Sequence, residues 1–273
     1  MTFTIDEILS ATGGKLLCGS KTVLVSDFFT DSRKAVDKWM FVPVRGENVD
    51  GNRFISSALK LAAASFTDRM PEDTSVFGCK PVVLVDNCVD AMQRFAAWHR
   101  SRLHIPIVGI TGSVGKTTAK EMVATALASS YKAYRTPGNK NSQVGVPISV
   151  CGIGPEHTAA VIEMGVSIPG EMERLARVVK PTCGVITTIG SSHIEFMKTR
   201  DNILSEKSHM ADYLKEDSSL FVCGDNDLLS AFAKASSPYK IITFGLSPYC
   251  GWRAESITQD ADYTDFVCIA PDG

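Results

Sequence analysis

Ile107-Val108-Gly109-Ile110-Thr111-Gly112-Ser113-Val114-Gly115-Lys116-Thr117-Thr118 decides how this chain is read. An apolar run gives way to a glycine-containing turn, and the turn opens into a helix start. Backbone N–H groups at such a turn, with the positive end of the helix dipole behind them, form a cradle for a polyphosphate. Lys116 provides the cation expected at the β and γ phosphates, and Thr117 the hydroxyl expected on Mg²⁺. Strict P-loop spacing requires glycine at position 110, where the chain has Ile110, so the match is Gly-x-x-Gly-Lys-Thr starting at Gly112. Gly112, Ser113, Val114, Gly115, Lys116, Thr117 and Thr118 are therefore the expected nucleotide contacts.

Downstream of this stretch the hydrophobic pattern alternates between strand and helix. Strand-like runs fall near 159–164, 184–189, 220–223 and 241–244, with helical periodicity at 172–179, 202–214 and 228–234. That order implies an α/β architecture, a mostly parallel sheet with helices on both faces. Beyond Phe244 only short strand-like pieces follow. Upstream, residues 1–86 read as a smaller α/β unit: a helix at 5–11 stopped by Gly13-Gly14, strands at 22–29, 40–44 and 81–85, and helical periodicity over 53–64. Met92, Phe95, Ala96, Trp98 and His99 lie at helical spacing, so 87–104 is expected to be a linker helix ended by Pro106. The expected division is 1–86, 87–104 and 105–273.

Composition narrows the partners. With 44% hydrophobic and 21% charged residues the chain can bury a core, and a net charge of −2 provides no footprint for nucleic acid. No basic run, signal peptide or membrane-spanning stretch is evident, so a cytoplasmic protein without a membrane span is expected. The eight cysteines are scattered without a Cys-x-x-Cys pair, which favours buried reduced thiols over disulfides or a metal site.

Four further blocks carry chemistry. Thr30-Asp31-Ser32-Arg33 is followed by Met40-Phe41-Val42-Pro43 and by Gly46-Glu47-Asn48-Val49-Asp50-Gly51. Ser32 and Arg33 offer a hydroxyl and a planar guanidinium suited to diphosphate or ribose oxygens, although Asp-Ser-Arg and Asp-Gly are also plain turn formers. Asn139, Asn141 and Ser142, within Thr136–Pro147, can hydrogen-bond a ligand or cap the next helix. Glu163 ends the apolar run 159–162, which puts a carboxylate where open α/β sheets bind ligands, or leaves an exposed strand-end glutamate. His193 follows the strand at 184–189, and Lys207 comes fourteen residues later.

Taken in order, these blocks and the phosphate loop resemble the Mur ligase family over nearly the whole chain. The Thr111-Gly112-Ser113 form and Lys120-Glu121-Met122 are most similar to the member that adds D-alanyl-D-alanine to UDP-N-acetylmuramoyl-tripeptide (UDP-MurNAc-tripeptide). The resemblance implies an ATP-dependent, ADP-forming amide ligase of peptidoglycan synthesis that activates a carboxylate as an acyl phosphate. It also implies two Mg²⁺ sites, with Thr117, Glu163, His193 and a carbamoylated Lys207 as ligands, and Lys116, His193 and Lys207 as catalytic groups. Ser32, Arg33, Asn48, Asp50, Gly51, Asn139, Asn141 and Ser142 become the expected substrate contacts, and a monomer is expected. Thr188, Ser142 and Ser208-His209 depart from the family pattern around the second metal.

The family also has a third, carboxy-terminal domain for the incoming amine, and the last part of the central sheet. On that ground the 273 residues are expected to be an incomplete ligase with little or no activity. The alternatives are the preceding ligase of the family, which adds the third amino acid, and a non-catalytic module that binds UDP-sugar and ATP. A folate-polyglutamate ligase would not need the Ser32-Arg33 block, and Ile110 disfavours a generic P-loop kinase.

Overall fold

The computed structural model describes residues 1–46 and 49–271. The chain divides into two compact units, one formed by Met1–His104 with Gln143–Glu156, the other by Ile105–Ser142 with His157–Gly273.

In the first unit, helix Ile5–Thr12 starts at a reciprocal cap: Thr4 Oγ1 accepts from the Glu7 N–H, and the Glu7 carboxylate accepts from the Thr4 N–H. Gly13, at φ 68°, ends the helix in the left-handed conformation that glycine adopts at no steric cost. A five-stranded sheet runs in the order Lys15–Cys18, Val82–Leu84, Ala64–Thr67, Trp39–Phe41, Asp27–Phe29, with only the first pair antiparallel. The expected helix at 53–64 shrinks to a 3-10 turn, Gly51–Phe54, and helix Ile55–Ala58, while Ala64–Thr67 is a strand buried along its whole length. A strand covered on both faces shows no alternation, and its alanine-rich approach imitates a helix.

Helix Cys88–Ser101 is not a linker but a core element of this unit. Cys88, Ala91, Met92, Phe95 and Ala96 are all buried, and the Phe95 ring stands edge-on to Phe3 with centroids 5.0 Å apart. Helix Gly145–Cys151, which begins inside the 136–147 segment, packs against it. His99 Nε2 meets the Ile153 carbonyl at 2.9 Å. The boundary expected at residue 105 therefore describes one crossing of several, because the mainly apolar Val146–Cys151 is buried at every position and needs cover all round.

The second unit is built on an eight-stranded sheet ordered Thr264–Ile269, Trp252–Gln259, Lys240–Gly245, Ser219–Cys223, Cys183–Ile186, Ile107–Thr111, Ala159–Glu163, Ala133–Arg135. All neighbours are parallel except the first pair. Helices cover both faces, as the alternating pattern predicts. The chain winds first to one side of Ile107–Thr111 and then to the other, so this strand sits at the switch point where open α/β sheets bind ligands. Among the described residues no helix is long and apolar enough to cross a membrane. The eight cysteines are free, but Cys79 and Cys268 are exposed rather than buried.

Candidate active site

Strand Ile107–Thr111 delivers the expected phosphate loop, 112–115, to helix Lys116–Leu127. Gly112 (φ 147°) and Gly115 (φ 83°) take backbone conformations that an L side chain resists. A Cβ on Gly112 would fall 2.0 Å from Thr187 Oγ1, so the loop also requires glycine for space. No side chain caps this helix, which leaves its first N–H groups facing the loop. Lys116 folds back over the loop, with Nζ donating to the Gly112 carbonyl at 2.8 Å; burial pushes its pKa down, and the charge of Glu163 opposes that shift.

A second segment braces the loop. The Ser113 N–H donates to the Thr188 carbonyl at 2.8 Å, the Gly190 N–H to Ser113 Oγ at 2.9 Å, and Thr187 Oγ1 to the Val114 carbonyl at 2.6 Å. Three hydrogen bonds of this kind over four residues tie the phosphate loop to the chain leading to His193.

Glu163 is no exposed strand-end glutamate, for it is fully buried. Thr117 Oγ1 lies 3.1 and 3.2 Å from its two carboxylate oxygens, and Asn141 Nδ2 donates to Oε1 at 2.7 Å. Lys120 Nζ stands 3.8 Å from Oε2. A hydroxyl beside a carboxylate suits a hard divalent cation, which typically takes one or two carboxylates and fills its octahedron with water and phosphate oxygens. Among the described residues no group of three or more His, Cys, Asp and Glu side chains gathers to hold a metal.

Lys207, on helix Arg200–Ser208, is buried, not an exposed helix lysine. Burial, and then the positive charge of Lys116, push its pKa down to about 8, with Glu206 opposing. An amine shifted this way is more often neutral, the form that can attack CO₂. His193 is exposed and takes the left-handed conformation (φ 63°) at the start of helix Ile194–Met197. Glu206 was not singled out from the sequence. It is buried, and it accepts from the N–H groups of Gly170 (2.8 Å) and Met172 (2.7 Å) at the amino end of helix Glu171–Val179.

In the first unit, Asp31 caps the 3-10 turn Ser32–Lys34, and Arg33 forms a fork onto its carboxylate at 2.9 and 2.8 Å. Those hydrogen bonds lower the Asp31 carboxyl to about 2. Asp50 caps Gly51–Phe54, accepting from the Asn52 N–H at 3.0 Å and from Arg69 at 2.8 Å. Gly51 is needed for close approach, since a Cβ there would lie 2.6 Å from the Val44 nitrogen. Asn52, Asp68, Arg45 and Arg69 join this polar network and were not foreseen, because their partners come from different strand ends. Asn48 lies outside the described residues. Asn139 offers its carbonyl to the Asn141 N–H at 2.7 Å, and Ser142 closes that segment of the second unit.

Residues 110–273 match the Mur ligase middle domain, and the chain belongs to the Mur ligase family. A curated relative is the UDP-N-acetylmuramoyl-tripeptide--D-alanyl-D-alanine ligase of Bacillus subtilis (strain 168), 34% identical over 87% of this chain and 51% of its own length. The chain thus spans about half the length of the curated relatives it matches. A structure of MurF ligase from Thermotoga maritima in complex with ADP superimposes with a TM-score of 0.78 at 27% identity, over 91% of this chain and 56% of that one. MurF from Acinetobacter baumannii shares the fold over 100% of this chain and 59% of its own, with a TM-score of 0.88 at 24% identity.

Proposed function

We propose that this chain provides the nucleotide-handling parts of an ATP-dependent, ADP-forming ligase that joins D-alanyl-D-alanine to UDP-MurNAc-tripeptide in peptidoglycan precursor synthesis. The observation that carries this reading is the Thr117–Glu163 pair beside the phosphate loop, in a chain whose Bacillus subtilis relative bears that ligase's name. A cytoplasmic monomer is part of the proposal.

The chemistry follows from charge. A substrate carboxylate oxygen attacks the γ-phosphorus of ATP, the bond to the bridging oxygen breaks, and ADP leaves. The amine then attacks the acyl carbon and expels phosphate. Attacking carboxylate and phosphate oxygens repel one another, so cations in a fixed arrangement must offset that repulsion. Lys116 and the N–H groups of 112–118 would hold the phosphates. Thr117 and Glu163 would hold a divalent ion, which screens phosphate charge when bound. For a second ion, the neutral Lys207 amine would add to CO₂ and release a proton to solvent, leaving a carbamate oxygen as donor alongside His193.

In the first unit, Ser32, Arg33, Asn48, Asp50 and Gly51 are proposed for the uridine nucleotide. Arg33 would there exchange Asp31 for a phosphate oxygen, a trade favoured by the larger charge of the diphosphate. Asn139, Asn141 and Ser142 are proposed for the peptide end or a phosphate.

Isothermal titration with UDP-MurNAc-tripeptide tests the reading. Binding should weaken by about tenfold in Arg33→Ala, the loss expected for a charge-assisted hydrogen bond, and less in Ser32→Ala. No binding by the unaltered chain at millimolar ligand would overturn the substrate assignment.

A further inference from the structure

Lys120 is a fully buried charge that the chemistry above leaves unused. It sits one turn beyond Lys116 on the same helix and is fully buried, which is rare for lysine unless its ammonium is well partnered. Nζ donates to the Thr136 carbonyl at 3.0 Å and to the Gly138 carbonyl at 2.9 Å, and it lies 3.1 Å from Glu121 and 3.8 Å from Glu163. The two carbonyls belong to the segment that ends in Asn141, whose amide also holds Glu163. One ammonium thus binds the segment and faces the carboxylate that the segment positions.

We propose that Lys120 is a positioning residue whose ammonium stands in for a cation at Glu163, balancing that buried carboxylate and clasping the 136–141 segment before any nucleotide arrives. The inference rests on reading Thr117 and Glu163 as donors to a divalent ion. It has a functional consequence. With Lys120 in place, Glu163 attracts a free divalent ion poorly, so the ion binds together with the nucleotide, whose phosphates add the missing negative charge.

The test is a double-mutant cycle of Lys120→Met, Glu163→Gln and the double variant, read by thermal melting and by Mn²⁺ titration without and with ADP. Lys120→Met leaves a buried carboxylate unbalanced and should lower the melting temperature by about 10 °C. Adding Glu163→Gln removes that imbalance and should restore at least about half of the loss. Without ADP, Lys120→Met should bind Mn²⁺ about tenfold more tightly than the unaltered chain. A Lys120→Arg variant, which keeps the charge, should retain weak nucleotide-free Mn²⁺ binding even if its bulk lowers the melting temperature.

Additive melting losses across the cycle, or nucleotide-free Mn²⁺ binding unchanged in a folded Lys120→Met, would overturn the proposal and leave Lys120 as a clasp on two carbonyls. If the unaltered chain binds no Mn²⁺ even with ADP, the donor reading of Thr117 and Glu163 fails instead. The melting cycle, which needs neither ligand, still decides whether Lys120 and Glu163 are coupled.

Discussion

Both units present candidate ligand groups beyond the carboxyl ends of parallel strands, yet the two regions are built differently. In the second unit Glu163, Lys120 and Thr136 are buried and bonded to one another across three segments of chain. In the first, Arg33 is exposed and is paired with Asp31, two residues away. A buried polar network must be satisfied in the folded protein itself, whereas exposed groups are satisfied by water until a ligand replaces it. The proposed nucleotide end is thus prearranged by the fold, while the proposed uridine end is a pair of capped turns that would acquire its function through what binds there.

This contrast is sharpened or broken by substitutions of decreasing effect. Gly112→Ala should be the most damaging, costing about 3 kcal/mol or more, because the new methyl meets Thr187 and the backbone disfavours any side chain. Chemical denaturation measures it, and a loss under about 1 kcal/mol would mean that the bracing segment can move aside. Lys116→Ala should weaken ADP binding by about 100-fold through loss of a charge-assisted contact to phosphate. Calorimetry checks this, and near-normal affinity would place the phosphates elsewhere.

The direct comparison is Asn141→Ala against Arg33→Ala. The first strips a 2.7 Å donor from a buried carboxylate and should cost about 1–3 kcal/mol. The second breaks an exposed ion pair and should change stability by less than about 0.5 kcal/mol. Equal losses would show that the two regions are not built on different principles.

The smallest effect is in pH dependence. The Asp31 carboxyl is held at about 2, below its ordinary 3.8, so its pairing with Arg33 is complete above 3.8 and is lost as pH falls through about 2. Carboxyl NMR of the unaltered chain should show that low midpoint, and Arg33→Ala should move it back toward 3.8. A midpoint already at the ordinary value would show that the fork is not formed in solution.

What was legible in the sequence has a common character. The glycine turn after Ile107–Thr111, the turns at Asp31 and Asp50, and the alternation of strand and helix beyond Pro106 depend on contiguous residues, where glycine conformation, turn chemistry and hydrophobic period act over a few positions. Ala64–Thr67 escaped that reading because burial on both faces erases the period. Glu163 was recognisable as a strand-end carboxylate, but Asn141 and Thr117 as its partners were not, since they are separated from it by 22 and 46 residues.

By itself the sequence determined that a glycine-containing turn joins a strand to a helix in an α/β chain, because the residues that make the turn and start the helix are adjacent. Only the tertiary structure decided that Lys120 faces Glu163, that Glu206 caps a distant helix, that Lys207 is buried and that 143–156 returns to the first unit. The physical reason is that a buried charge or a mainly apolar helix states a need for partners without naming them. Which partners meet that need is set by the strand order and packing that bring remote segments together.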